Sequence, residues 1–120
     1  MRLWHQELIK KLPRQQLLGQ HRECCALRGK GWGKPHATVN YVFRYPPEYL
    51  FFYHQLVMNE MTCRGYKVSN EWLNPLYRGK NSPPLPIFHP YKVHTPIYPE
   101  HNASYLLECK ENLALKKIFL

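Results

Sequence analysis

The sequence predicts an all-α fold: one compact domain of three principal helices with a long proline-rich loop. Apolar residues recur at helical spacing in three stretches, each bounded by proline or glycine. Six prolines crowd between Trp72 and Ile97, which marks that stretch as mostly ordered loop. The chain has 120 residues, 44% of them hydrophobic, the size of one domain able to bury a core without disulfides.

The first helix is expected from near Pro13, a residue tolerated in the first helical turn, to Gly29. The second follows Tyr45-Pro46-Pro47, runs through EYLFFYHQLVMNEMTC and stops at Gly65. On it Leu50, Tyr53, His54, Val57 and Met61 fall at helical spacing, the signature of a core face. The third fits EHNASYLLECKENLALKKI, with Leu106, Leu107, Leu113 and Ile118 facing inward. Lys116 and Lys117 near its C-terminus suit the helix dipole. No repeat or composition shift divides residues 1–120, which read as a single domain.

Several classes are excluded at this level. Met1–Gln6 leads into charged residues with no apolar stretch, so no signal peptide is expected. The longest fully apolar run, Tyr49–Tyr53, is far too short to span a bilayer, and no membrane partner is expected. Four cysteines without a secretory leader point to a reducing, cytoplasmic setting and free thiols. Adjacent Cys24 and Cys25 cannot form a chelating knuckle and no Cys-x-x-Cys spacing exists. The thiols are therefore expected to pack as small hydrophobes, without a metal or organic cofactor.

Charge gives a positive lead. The net charge is +9, and residues 1–44 hold nine Lys/Arg against Glu7 and Glu23, whereas the rest hold eight against six. A one-sided basic field suggests a polyanionic partner, nucleic acid ahead of membrane, although charge alone fits a solubilising surface equally well. Gly29, Gly31 and Gly33 with Lys30 and Lys34 match neither a nucleotide-triphosphate loop nor a dinucleotide fingerprint. Backbone amides and lysines contacting a DNA phosphate, or a plain helix-to-loop exit, both remain open for that stretch.

There is no aspartate, so no Ser/His/Asp arrangement exists, and the few glutamates are dispersed. Glu23 stands out as a lone acid in a basic segment. Gln16, Gly19, Gln20 and Leu27 share its helix face, and Arg22 is turned about 100° away. Mid-helix Gly19 costs about 1 kcal/mol relative to alanine, which asks for a reason. Either a helix packs there or something passes close over the helix.

The stretch LPRQQLLGQHRE (Leu12 to Glu23) resembles the first-helix motif of the pyrimidine-dimer DNA glycosylase family, the phage endonuclease V-like enzymes. CRGYKV (Cys63 to Val68), LYRGK (Leu76 to Lys80) and HNAS (His101 to Ser104) are similar to later family segments. The resemblance implies a monomeric enzyme on double-stranded damaged DNA, both glycosylase and abasic-site lyase, whose N-terminal α-amine is the nucleophile. By position, the amine belongs to Met1 and the assisting carboxylate to Glu23, with Arg2 and Arg22 matching basic DNA-contacting residues. Gln16 stands where the family has a histidine, Ala26 where it has an arginine, and Arg28 or Arg14 is the candidate substitute. Lys30 and Lys34 would add sequence-independent phosphate contacts. An α-amine, with an ordinary pKa of about 7.7–8.0, is far more often neutral at physiological pH than a lysine. The alternative is a non-catalytic nucleic-acid-binding protein on the same scaffold.

Overall fold

The computed structural model describes residues 2–29 and 39–120. Three helices carry the architecture: α1 (Arg14–Arg28), α2 (Pro47–Cys63) and α3 (Ala103–Leu115). Three short 3-10 segments, Gln6–Lys11, Asn40–Arg44 and Asn70–Leu73, punctuate the connections. No strand occurs among the described residues, and residues 74–102 carry no helix. None of the described helices is long and apolar enough to cross a membrane.

The helix ends follow from local chemistry. Pro13 supplies the carbonyl that accepts the first backbone bond of α1, from Leu17 N–H at 3.0 Å. At the other end Gly29 donates to Cys25 O, but its φ of −75° is one any residue adopts. Glycine is needed there because a Cβ would sit 3.2 Å from the Arg78 carbonyl. Arg78 donates in turn to Arg28 O (3.0 Å) and Gly29 O (2.9 Å), capping the carbonyls that α1 leaves open.

α2 ends differently. Gly65 has φ +83°, its N–H reaches Thr62 O and the Tyr66 N–H reaches Met61 O, the paired bonds of a Schellman stop. α3 begins where Asn102 Oδ1 accepts from Tyr105 N–H at 2.9 Å. It ends with the same paired bonds as α2, but with Lys117 at φ +61° in the glycine position.

α1 packs on α2, and the core between them collects Leu17, Cys24 and Leu27 with Leu50, Tyr53, Val57 and Met61. His54 is also fully buried, so the whole expected face of α2 lies inside. The residues before Pro13 are a core element in their own right. Leu3, Trp4, Leu8, Ile9 and Leu12 are all buried. Arg64 fastens this segment to the end of α2, donating to Leu12 O (2.7 Å) and Lys10 O (3.1 Å) while pairing with Glu60 (2.7 Å).

Two sequence expectations are corrected. Leu107 is 60% exposed, and Cys109 takes its place in the core beside Leu113. Cys109 lies three residues from Leu106 and four from Leu113, so it falls on their stripe while Leu107 turns about 100° away. Cys63, the last residue of α2, is exposed, whereas Cys24 and Cys109 are buried as expected of small hydrophobes.

Candidate active site

Glu23 lies half-buried on α1, three residues beyond Gln20 and on the same helix face. Its Oε2 accepts from Gln20 Nε2 at 2.9 Å. The same Nε2 donates to the Arg2 carbonyl at 3.0 Å. Gln20 Oε1 accepts from the Trp4 N–H at 2.6 Å and the Tyr53 hydroxyl at 3.0 Å. The buried carboxamide therefore uses both hydrogens and both lone pairs, and backbone donors and acceptors fix which way round it sits. The one Tyr53 proton is shared between Gln20 Oε1 and Trp4 O, 2.5 Å away, so α2 holds the N-terminal segment down on α1.

Burial raises the Glu23 pKa above the ordinary carboxylate value. The Arg2 backbone N–H, the Gln20 side chain and the positive charge of Lys116 pull the other way without cancelling it. Lys116, just past α3, also stands over the Trp4 ring, 5.5 Å from its centroid. Arg2 lies on the same side: its guanidinium pairs with Glu108 at 3.1 Å and packs over Trp4 and Tyr105. The end of the chain thus closes over its beginning, around one carboxylate.

Among the described residues, only the Arg22 side chain reaches the turn before Glu23. A Cβ on Gly19 would meet only Arg22 Nη2, at an ordinary 3.8 Å. No described helix packs against Gly19, so a packing contact does not explain this glycine among the described residues. Arg22 is exposed and runs back over the turn that Gly19 leaves bare. Arg14 is also exposed, with its guanidinium 5.1 Å from the centre of the Tyr66 ring, and Gln16 is half-buried. Met1, Lys30 and Lys34, together with Gly31 and Gly33, lie outside the described residues.

Arg28 has a different fate. Only 7% exposed, it donates to the carbonyls of Trp72 (2.8 Å), Asn74 (2.7 Å) and Tyr77 (2.9 Å) and to His54 Nδ1 (3.0 Å). Phe51 and Trp72 flank the guanidinium, with ring centroids 5.2 and 5.0 Å away. The side chain is wholly committed to pinning the segment after α2.

Next to Arg28, His21, Cys25 and His54 bring three potential ligand atoms within 4.8 Å of one another. The set does not fit a metal. A guanidinium can only donate, so His54 Nδ1 must accept and its proton sits on Nε2. That Nε2 faces His21 Nδ1 at 2.8 Å and donates to it, leaving no lone pair there for a cation. A ligating histidine instead donates through its second nitrogen to an acceptor. Burial also pushes the Cys25 thiol up to about 11, away from the thiolate a metal requires.

These features define a helical protein with one buried-edge carboxylate held against its own N-terminal segment beside exposed arginines. A family model described as pyrimidine dimer DNA glycosylase matches residues 1–74, more than half of the chain. The chain belongs to that family. No curated protein and no solved structure gives a match. The matched stretch contains Arg2, Gln20, Arg22 and Glu23, whereas Leu76–Lys80, His101–Ser104 and all of α3 lie beyond it. Sequence reading singled out Glu23 and Arg22 but missed the roles of Gln20, Tyr53 and Lys116. Only Gln20 left a signal, its place three residues before Glu23 on one face.

Proposed function

We propose that this chain is a DNA glycosylase with abasic-site lyase activity on pyrimidine-dimer-containing duplex DNA, and that the Met1 α-amine and Glu23 do the chemistry. The observation that carries this reading is the bridge from Glu23 through Gln20 to the Arg2 carbonyl. The Met1 amine nitrogen is three bonds from the Arg2 nitrogen, so covalent geometry keeps the two within about 3.7 Å. The Arg2 N–H also acts on Glu23 as a hydrogen-bond donor. Amine and carboxylate therefore belong to one neighbourhood whatever the conformation of residue 1.

In the proposed reaction the amine lone pair forms a bond to C1′ of the deoxyribose as the glycosidic bond breaks, and the base leaves with the electrons of the glycosidic bond. Ring opening gives an imine between C1′ and the amine. Loss of a C2′ proton then expels the 3′ phosphate by β-elimination, and water releases the product. Glu23 stabilises positive charge developing on the sugar and ferries protons between these steps. A carboxyl whose pKa is raised by burial is better suited than an ordinary one to both hold and release a proton.

The bare turn at Gly19 leaves space for a DNA backbone to pass close to Glu23, with Arg22, Arg14 and Gln16 as contacts along α1. Lys30 and Lys34 are proposed as further phosphate contacts. Arg28 takes no part in this surface.

The test is borohydride trapping on a duplex containing an abasic site. A covalent adduct is expected, and it should vanish when the α-amine is blocked. Trapping that survives the block would remove Met1 from the mechanism. DNA binding without any adduct would favour the non-catalytic binding protein.

A further inference from the structure

We propose that Gln20 is a positioning residue for this reaction, setting the place of the N-terminal backbone relative to the Glu23 carboxylate through a single carboxamide. The assignment rests on the glycosylase/lyase reading above. Gln20 is only 1% exposed, so it touches no DNA and acts only through its neighbours. One amide nitrogen holds the proposed acid and the backbone beside the proposed nucleophile at once: Glu23 Oε2 at 2.9 Å and the Arg2 carbonyl at 3.0 Å. Its oxygen is anchored by the Trp4 N–H and the Tyr53 hydroxyl, so the nitrogen cannot turn away without breaking two buried bonds.

A chain terminus is the hardest place to hold a nucleophile, because a free end frays unless it is tied down. Three side chains that tie its backbone carbonyls are Gln20 on Arg2 O, the Tyr53 hydroxyl on Trp4 O and the Tyr105 hydroxyl on Leu3 O at 2.5 Å. Of these only Gln20 also touches the carboxylate. Misplacing reacting groups by about 1 Å can cost about 100-fold in rate, so a tie shared by amine-bearing backbone and acid matters for turnover rather than for DNA affinity.

Gln20→Glu tests the idea with almost no change of shape. The oxygen that accepts from Trp4 and Tyr53 is kept, and the donor to Arg2 O and Glu23 becomes a second acceptor. Two carboxyls must then share a proton, so the pair titrates as a unit with one apparent pKa raised. The other groups facing Glu23 are the α-amine, the Arg2 N–H and Lys116, with Arg22 and the Cys24 thiol beside it on α1, whereas Tyr53 reaches Gln20 and Trp4 O but not the carboxylate. All of them remain in the variant.

The experiment follows Glu23 by carboxyl-carbon NMR over pH in the full chain, and measures kcat and KM for abasic-site cleavage in the parent, Gln20→Glu and Gln20→Met. The titration of Glu23 in Gln20→Glu is expected to move up by about one unit or more. Gln20→Met is expected to lose about 10- to 100-fold in kcat with KM for DNA unchanged. A Glu23 titration that overlays the parent, or a Gln20→Met kcat within about twofold of an active parent, overturns the proposal. If the parent neither cleaves nor traps, the functional reading fails, and the NMR titration by itself decides whether Gln20 governs Glu23.

Discussion

Gln20 Nε2 donates to Glu23 Oε2 at 2.9 Å while holding the Arg2 carbonyl at 3.0 Å, so two residues one helical turn apart share a tie to the start of the chain. A half-buried carboxylate with a single carboxamide donor is an unfavourable arrangement for stability. Burial wins over the favourable contacts, and the Glu23 pKa stays raised.

Glu23→Gln separates that cost from function. A carboxyl with a raised folded pKa binds its proton more tightly in the folded state, so its burial weakens the fold as pH rises from the unfolded value. The variant is expected to melt higher than the parent at pH 7, with the difference disappearing below about pH 4, where both forms are neutral. Abasic-site cleavage should fall by about 100-fold or more while DNA affinity is retained. Calorimetry at several pH values and a cleavage assay check the two halves. Equal melting at pH 7 contradicts the electrostatic part, and unchanged cleavage removes Glu23 from the chemistry.

Arg22 and Arg28 are both arginines of α1, and they should respond in opposite ways. Arg28→Met strands the carbonyls of Trp72 and Tyr77 and leaves Asn74 O with only the Tyr77 N–H, at a cost of about 3 kcal/mol in urea denaturation. Its DNA binding, measured on the folded fraction, should keep the parent's salt dependence. Arg22→Ala leaves stability within about 0.5 kcal/mol and lowers the slope of log affinity against log salt by about one. A salt slope altered by Arg28→Met rather than by Arg22→Ala would reverse the assignment.

Lys117 occupies a position that glycine fills at the end of α2. Its φ of +61° is left-handed, where a Cβ is strained, yet the Lys117 and Ile118 N–H groups must both turn back to close α3. Lys117→Gly relieves that strain against a higher unfolded-state entropy, and a net gain of up to about 1 kcal/mol is expected. A lower melting temperature for the variant would show that the lysine side chain contributes more than the strain costs.

The helix boundaries were legible because proline and glycine mark them: Pro13, Pro46-Pro47, Gly29 and Gly65 all stand at ends. Even so, the close neighbour of Gly29 is the carbonyl of Arg78, forty-nine residues away in sequence, which no local pattern records. The buried segment before Pro13 is less legible: Trp4, Leu8 and Leu12 are spaced four apart, but the run is short and lies ahead of the proline that marks a helix start. Arg28 reads in sequence as a candidate DNA contact because it stands near the position of the family arginine that Ala26 replaces. Its acceptors are carbonyls of residues 72–77, and backbone carbonyls leave no trace in residue identity. The Glu23–Arg22 pair was legible from spacing and resemblance, but a glutamine that meets four partners is written like any surface glutamine.

His54 and His101 make the fold acid-sensitive for a reason separate from Glu23. Burial lowers His54 to about 2, helped by Arg28 and His21, and lowers His101 to about 3. Both rings are neutral when folded, and in the unfolded chain both take up a proton near pH 6.5. Their contribution is full above that value and is lost as pH falls below it, because the unfolded state then binds more protons. Between about pH 6 and pH 4 the two together should reduce stability with a slope approaching 2.7 kcal/mol per unit. Unfolding at pH 5 should therefore take up about two protons from these sites, measurable by calorimetry in buffers of different ionisation enthalpy. His101→Gln should lower that uptake by about one, since glutamine does not titrate. An uptake unchanged by this substitution would mean that His101 is protonated in the folded protein, in conflict with its ring nitrogens, which face the Gln6 N–H at 3.1 Å and the Tyr41 hydroxyl at 2.7 Å.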